Sequence, residues 1–299
     1  MLDPGPTPVL ALDGTAPHFV AQLRYALADA QIDLLHAHGH VAAVYAAPAR
    51  LPTVCTIHAA LGGGWRWLPS ILPALWRMGG VSAVSDDLAH AARWLTLRPV
   101  ATIATGVDMA RFAPGGERAE SDELVLGIAA RLHPVKRHRD LFAAMSLIAK
   151  RGMRVRLLVA GDGPLAAELN ATAPPNVELL GPVADMPAFY RRLDAFVLCS
   201  DHEGMPVALF EAMASGLPCI ATRVGGMAPL ADNGFGVIGV PRRDPAALAD
   251  AIVGVVESPE GRRRLGRQAR EAVSAWSLDR QARAYAALYR EVTRSASPR

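Results

Sequence analysis

Short apolar runs alternate with stretches of helical periodicity along the whole chain. Residues 9–12, 32–38, 53–57, 81–84 and 100–103 read as one set of strands. A second set reads at 124–130, 154–160, 176–180, 194–199 and 218–222. Between the second set, apolar positions recur every three to four residues at 138–151, 164–172, 185–192 and 206–215. The same period continues at 245–257 and 260–274, and WSLDRQARAYAALYREV (276–292) is a last amphipathic helix. Strands alternating with helices predict parallel sheets covered on both faces, an α/β fold. The Gly-, Pro- and charge-rich segment 106–123 separates the two sets and reads as a linker.

Composition agrees with that picture. The 299 residues are 51% hydrophobic and 20% charged, enough for two domains with buried parallel strands. Mean hydropathy is +0.19, yet no apolar run reaches the ~18 residues of a membrane span. No secretory signal pattern opens the chain. The net charge is +3 and the basic residues are scattered, which argues against nucleic acid as a partner. Cys55, Cys199 and Cys219 all fall in apolar runs, as reduced core thiols of a cytoplasmic protein would. Lys136 and Lys150 are the only lysines, which draws attention to Lys136 inside a motif.

The most informative stretch is EGMPVALFEAMASG (203–216). It follows the strand-like DAFVLCS and precedes CIAT, so it spans a strand-to-helix loop and the helix after it. Pro206 suits the first helical position, and Gly216 and Pro218 end the helix. Free N–H groups at such a helix start suit a phosphate. Glu203 on the loop and Glu211 in the helix cannot bind phosphate but can accept hydrogen bonds from sugar hydroxyls. A phosphate cradle flanked by two such carboxylates describes a nucleotide-sugar site. Arg131 and Lys136, five apart on another strand-end loop, supply two cations for a diphosphate; their bland reading is a solvated basic loop, since Arg137 and Arg139 follow.

This segment resembles the Glu-x7-Glu motif of retaining glycosyltransferase family 4, the group 1 glycosyltransferases of GT-B fold. DLLHAHG (33–39), TVCTIHA (53–59), SAVSDDL (82–88) and ATGVDMARFAP (104–114) resemble that family's N-terminal half, in its order. AARLHPVKR (129–137), VAGDGPL (159–165) and LLGPV (179–183) resemble its donor-binding half. The resemblance implies two Rossmann-like domains facing a cleft, residues 1–108 and 109–276, with the helix 277–292 packed back on the first. The family's first strand and glycine-rich turn have no counterpart, so the expectation is a shortened N-terminal domain.

The resemblance also implies a reaction: transfer of a hexosyl group from a nucleotide-diphosphate sugar, UDP-linked, with retention and without a metal. The acceptor would be a glycan, a lipid-linked sugar or a small molecule. Glu203, Arg131, Lys136 and His58 would form the catalytic set. Glu211 would hold the ribose, with Gly204, Met205, Pro206 and Val183 lining the donor site. The donor is a substrate, so no cofactor is expected. A donor-binding subunit without catalysis and a nucleotide-sugar epimerase remain alternatives.

Three other patterns have plainer readings. His36, His38 and His40 alternate, but Gly39 breaks the strand and no cysteine or carboxylate completes a metal shell. GDGPLA (161–166) loosely fits a dinucleotide fingerprint but follows the wrong strand, and reads as a tight turn. GGGWRWLPSILPALWRMGG (62–80) fits a packed helix and loop, or peripheral contact with a membrane.

Overall fold

The computed structural model describes residues 16–29, 32–49, 51–58, 68–116 and 123–296. The strand expected at 9–12, the start of the tryptophan-rich stretch at 62–67 and the linker residues 117–122 lie outside them.

The first half runs α1 (Ala16–Asp29), β1 (Leu35–His38), α2 (His40–Ala46), β2 (Thr53–Ile57), α3 (Leu68–Arg77), β3 (Gly80–Ala83), α4 (Asp86–Thr96) and β4 (Ala101–Thr102). Among the described residues its strands form a parallel sheet of order β1-β2-β3-β4. Gly39 takes φ 90° and ends β1 as the sequence predicts, handing the chain to α2. Cys55, Ile57, Val81 and Ala83 meet Ile71, Leu75, Ala89 and Ala92 of the helices in this half's core.

The second half runs β5 (Leu124–Ala129), a 3-10 turn at Pro134–Lys136, α5 (His138–Lys150), β6 (Val155–Ala160), α6 (Ala166–Thr172), β7 (Val177–Gly181), α7 (Met186–Arg191) and β8 (Ala195–Leu198). It continues with α8 (Val207–Ala214), β9 (Cys219–Thr222), a 3-10 turn at Gly225–Met227, α9 (Ala228–Asp232), β10 (Val237–Val240), α10 (Pro245–Val256) and α11 (Pro259–Val273). Its parallel sheet has the order β10-β9-β8-β5-β6-β7. Alternate strand residues feed two cores, as the two-residue period of a strand requires. Leu158, Phe196, Leu198 and Cys219 face α8 and α11 on one side. Leu126, Ile128, Leu157 and Val197 face α5 and α10 on the other. Strands buried on both faces explain the continuous apolar runs.

The sequence reading stops this sheet at 222, and the structure adds β10. Its run VIGV is only four residues long and lies among glycines, so its pattern matches a turn as well as a strand. The three cysteines are buried and free, with Cys219 in the core on the α8 side of this sheet and Cys199 in the core on the α5 side.

The chain leaves the first half near Val107 and returns beside the same residue. The Val107 N–H donates to the Trp276 carbonyl at 2.9 Å, and the Leu278 N–H donates to the Val107 carbonyl at 3.1 Å. From there α12 (Leu278–Ala296) lies over β2 and β3 of the first sheet. Val292 and Leu288 sit so close to Gly79 and Gly80 that a Cβ at Gly79 would be 2.5 Å from Val292.

Candidate functional site

The site is built where the strands of the second sheet end. After β5 the chain makes the short turn carrying Lys136, and His133 caps it by accepting from the Val135 N–H. The turn is stitched to the end of β8. The Asp201 N–H donates to the Val135 carbonyl at 2.8 Å, and the Cys199 thiol donates to the carbonyls of Lys136 and Arg137. Ser200 is fully buried, its carbonyl held by the Thr222 hydroxyl at 2.6 Å. These bonds fix two loops that come from distant parts of the sequence.

Lys136 and Glu203 meet there. The Lys136 ammonium donates to Glu203 Oε1 at 2.5 Å, and the Ser200 hydroxyl donates to the same oxygen at 2.6 Å. The Glu203 side chain is only 9% exposed, so its charge is compensated at short range by the lysine. Arg131, on the same loop, is exposed, with no side-chain partner among the described residues.

Glu203 and Gly204 lead into α8. Pro206 is its N-cap, one position before the place the sequence reading gave it, and its carbonyl accepts from Leu209 and Phe210. The N–H groups of Val207 and Ala208 precede the first helical bonds, which leaves donors directed out of the helix start. The Gly225–Met227 turn presses on this loop from behind. Gly225 takes φ 49°, and a Cβ there would be 2.0 Å from the Glu203 carbonyl oxygen. The Gly-Gly pair just past β9 was the sequence signal for this support, and the reading passed over it.

Glu211 lies in the second turn of α8. The Tyr190 hydroxyl donates to its Oε2 at 2.9 Å. Burial raises the Glu211 pKa, while the bond from Tyr190 and the charge of Arg111 act to lower it. Met205 lies against Gly226, and Val183 packs on the core beside α8.

The first half contributes His58, just past β2. A Cβ on Gly204 would be 2.3 Å from the His58 carbonyl oxygen, so the two halves touch at this point. His58 Nε2 is 2.9 Å from His38 Nδ1, and one of the two rings donates. Behind them the His36 ring lies tilted against that of His38, with ring centroids 4.1 Å apart. Both nitrogens of His36 are engaged, by the Tyr289 hydroxyl and the Thr56 hydroxyl at 2.7 Å each. Thr56 also meets Ser82 and Tyr285. Burial, with the neighbouring His38 and His58, lowers the His36 pKa to about 4. Burial and His38 lower that of His58. So the structure brings His36, His38 and His58 together, while His40 starts α2 instead. Among the described residues no group of three His, Cys, Asp or Glu side chains is arranged to hold a metal ion.

Comparison with known proteins bears on this geometry. Residues 123–258 match the family model "Glycosyl transferases group 1", and residues 3–111 match "Glycosyltransferase Family 4". The chain belongs to the group 1 glycosyltransferases. Among curated family members it is 34% identical to a D-inositol 3-phosphate glycosyltransferase of Saccharomonospora viridis over 218 residues, 64% of this chain and 50% of that protein. It is 30% identical to a UDP-Gal:alpha-D-GlcNAc-diphosphoundecaprenol alpha-1,3-galactosyltransferase of Escherichia coli over 175 residues, 53% of this chain and 45% of that one. The chain thus spans about half the length of the curated relatives it matches.

Solved structures share the fold. Sucrose-phosphate synthase from Thermosynechococcus elongatus superposes with a TM-score of 0.81 at 23% identity, over 93% of this chain and 78% of that one. HepE from Anabaena, in complex with UDP, gives 0.76 at 21%, over 90% and 80%. The architecture is therefore GT-B-like, with two parallel-sheet domains, as the sequence reading expected.

Proposed function

We propose that this chain transfers a hexosyl group from a nucleotide-diphosphate sugar, with UDP as the carrier, to an acceptor held on the side of His58. The observation that carries the reading is the Lys136–Glu203 pair at 2.5 Å, set at the start of α8 with Glu211 in its second turn and His58 facing the loop. A diphosphate arriving at the helix start meets unpaired N–H groups and the Lys136 charge, with Arg131 on the same loop. Lys136 then exchanges its carboxylate partner for phosphate oxygens, and the freed Glu203 accepts from the donor sugar. Glu211 accepts from the ribose hydroxyls, and the base lies toward Val183.

In this reading the bond from the anomeric carbon to the diphosphate oxygen breaks as the bond to the acceptor oxygen forms. The diphosphate oxygen takes up the acceptor proton, and the sugar keeps its configuration. Fixed cations do the work of a metal at the leaving group. His58, neutral because its pKa is lowered, is placed to hydrogen-bond a sugar hydroxyl.

The acceptor is a glycan, a lipid-linked sugar or a small molecule. Exposed Trp76 and Trp94 support peripheral contact with a membrane from the cytoplasmic side; no described helix is long and apolar enough to cross one. Co-sedimentation with vesicles tests that part.

A thermal-shift panel of UDP-, GDP- and ADP-sugars tests the donor, since a ligand at 100 times its Kd adds about 2.7 kcal/mol of stability. A UDP-sugar should raise the melting temperature most. Product analysis with an acceptor then separates transfer from epimerisation, and donor binding without any turnover would overturn the catalytic reading.

A further inference from the structure

Tyr190 has no part in the chemistry described so far, yet its hydroxyl is aimed at Glu211 from inside the core. The side chain is fully buried on α7. The rings of Phe112, Phe189 and Phe196 contact it edge-on, with centroids 5.8, 5.5 and 5.8 Å away. The ring is therefore held in one place before any ligand arrives. Its single hydroxyl proton has two acceptors in reach, Glu211 Oε2 at 2.9 Å and the Ala208 carbonyl at 3.1 Å. The carboxylate is nearer and charged, so it takes the stronger bond.

We infer that Tyr190 is a positioning residue for the donor nucleotide: its buried hydroxyl clamps Oε2 of Glu211 and so presents the carboxylate to the ribose in one fixed orientation. The inference rests on the reading of Glu211 as the ribose acceptor and adds the residue that keeps it ready. Without the clamp the carboxylate is free to turn about its side-chain torsions, and its ordering is then lost from the binding free energy.

The clamp has a second effect. Glu211 is half-buried, and burial alone favours its neutral form. The groups that face it are Tyr190 from α7 and Arg111 from the segment before the second half, both of which favour the charged form. Tyr190 in turn faces Cys219, whose thiol burial keeps neutral. Removing the hydroxyl leaves only Arg111 against burial, so Glu211 takes up a proton at a higher pH and stops accepting from hydroxyls on that oxygen.

The test is calorimetric titration of the full chain with UDP, and with GDP and ADP in parallel, at pH 8 and pH 6. Wild type, Tyr190→Phe and Glu211→Gln are compared, each as a ratio to wild type at the same pH, which cancels the titration of the nucleotide itself. Phe keeps the ring and its three aromatic contacts. Glu211→Gln should weaken UDP about tenfold at both pH values. Tyr190→Phe should weaken it several-fold at pH 8 and by a larger factor at pH 6. A Tyr190→Phe deficit equal at the two pH values would support the clamp and overturn its effect on the protonation of Glu211, since Phe keeps the packing. Wild-type affinity in that variant while Glu211→Gln is impaired would mean that the tyrosine only packs, and would overturn the inference. Unchanged affinity in Glu211→Gln, or no nucleotide bound by wild type, would instead bring down the ribose reading and the inference with it. If Tyr190→Phe does not fold, proton NMR of the wild-type chain gives the same answer. A slowly exchanging Tyr190 hydroxyl proton should be seen, and its shift should move in Glu211→Gln; no such proton, or no movement, overturns the inference.

Discussion

Gly204 has no room for a side chain because the carbonyl oxygen of His58 occupies the place, 2.3 Å from where a Cβ would stand. One residue belongs to the loop before α8, the other to the end of β2, and their contact brings the candidate donor and acceptor sides together. The obstacle is backbone, so it cannot turn aside as a flexible side chain would.

Gly204→Ala should therefore displace the α8 loop from His58 while leaving both sheets intact. A misplacement of about 1 Å at a reacting centre costs on the order of 10²-fold in rate. Transfer should fall by about that factor, with the thermal melt of the chain little changed. A fully active Gly204→Ala variant would show that the two halves do not meet this closely during turnover.

Lys136→Ala removes the cation that Glu203 now holds. It should lower kcat/KM for donor by about 10²–10³, the loss expected for one preorganised charge-stabilising donor. Chelation with EDTA should leave wild-type transfer unchanged, because the side-chain cations supply the charge. Steady-state kinetics checks both, and recovery of EDTA-treated enzyme by Mg²⁺ or Mn²⁺ would contradict the second.

Arg137 occupies a left-handed backbone position, φ 57°, where the resembling family usually has glycine. The strain is offset by a forked pair to Asp140, with both contacts at 2.8 Å. Alanine would keep the strain and lose the pair, whereas glycine would lose both. Arg137→Gly should thus be more stable than Arg137→Ala by about 1 kcal/mol, measured by urea unfolding.

His138 is buried to 1% exposure at the start of α5, and neither ring nitrogen has a hydrogen-bond partner. Burial first, and the Lys136 charge second, lower its pKa to about 4. The unfolded chain binds this proton near pH 6.5, so the unfolded state gains protons first on acidification. Its contribution to stability is complete above pH 6.5 and is lost as pH falls toward 4, by up to about 3 kcal/mol. His36 adds in the same direction. Replacing His138 by leucine should flatten this dependence, so that the variant gains progressively over wild type below pH 6.5 and most at the acid end, near pH 4. Equal urea midpoints for the two chains across pH 4–8 would contradict it.

Much of this molecule is written in local pattern. The helix of EGMPVALFEAMASG begins one residue later than Pro206 implies, because proline supplies the cap rather than the first turn. Lys136 and Glu203 were each singled out by loop position, though 67 residues separate them. Tyr190 and Ser200 were passed over, and His38 was noted without its partner. Tyr190 reads as one more apolar position of α7, and only the fold turns its hydroxyl toward a carboxylate 21 residues on. Ser200 ends an apolar strand and looks like a boundary. His38 belonged to an alternating triplet whose real partner, His58, sits one strand over. Period and spacing report which face a residue occupies; they carry no record of which neighbour the sheet order places opposite it.

The bonds between Val107 and the Trp276–Leu278 segment have a mechanical reading. Outgoing and returning chain are tied side by side, and α12 beyond them is seated on the first sheet, while Trp276 packs with Phe210 and Phe235 of the second half. The tied pair is a short axle with one wheel on each end. If the halves turn about this tie, its own bonds can stay intact while the contact between Gly204 and His58 opens. A label pair across that contact should then register the motion, and a pair beside Val107 should miss it.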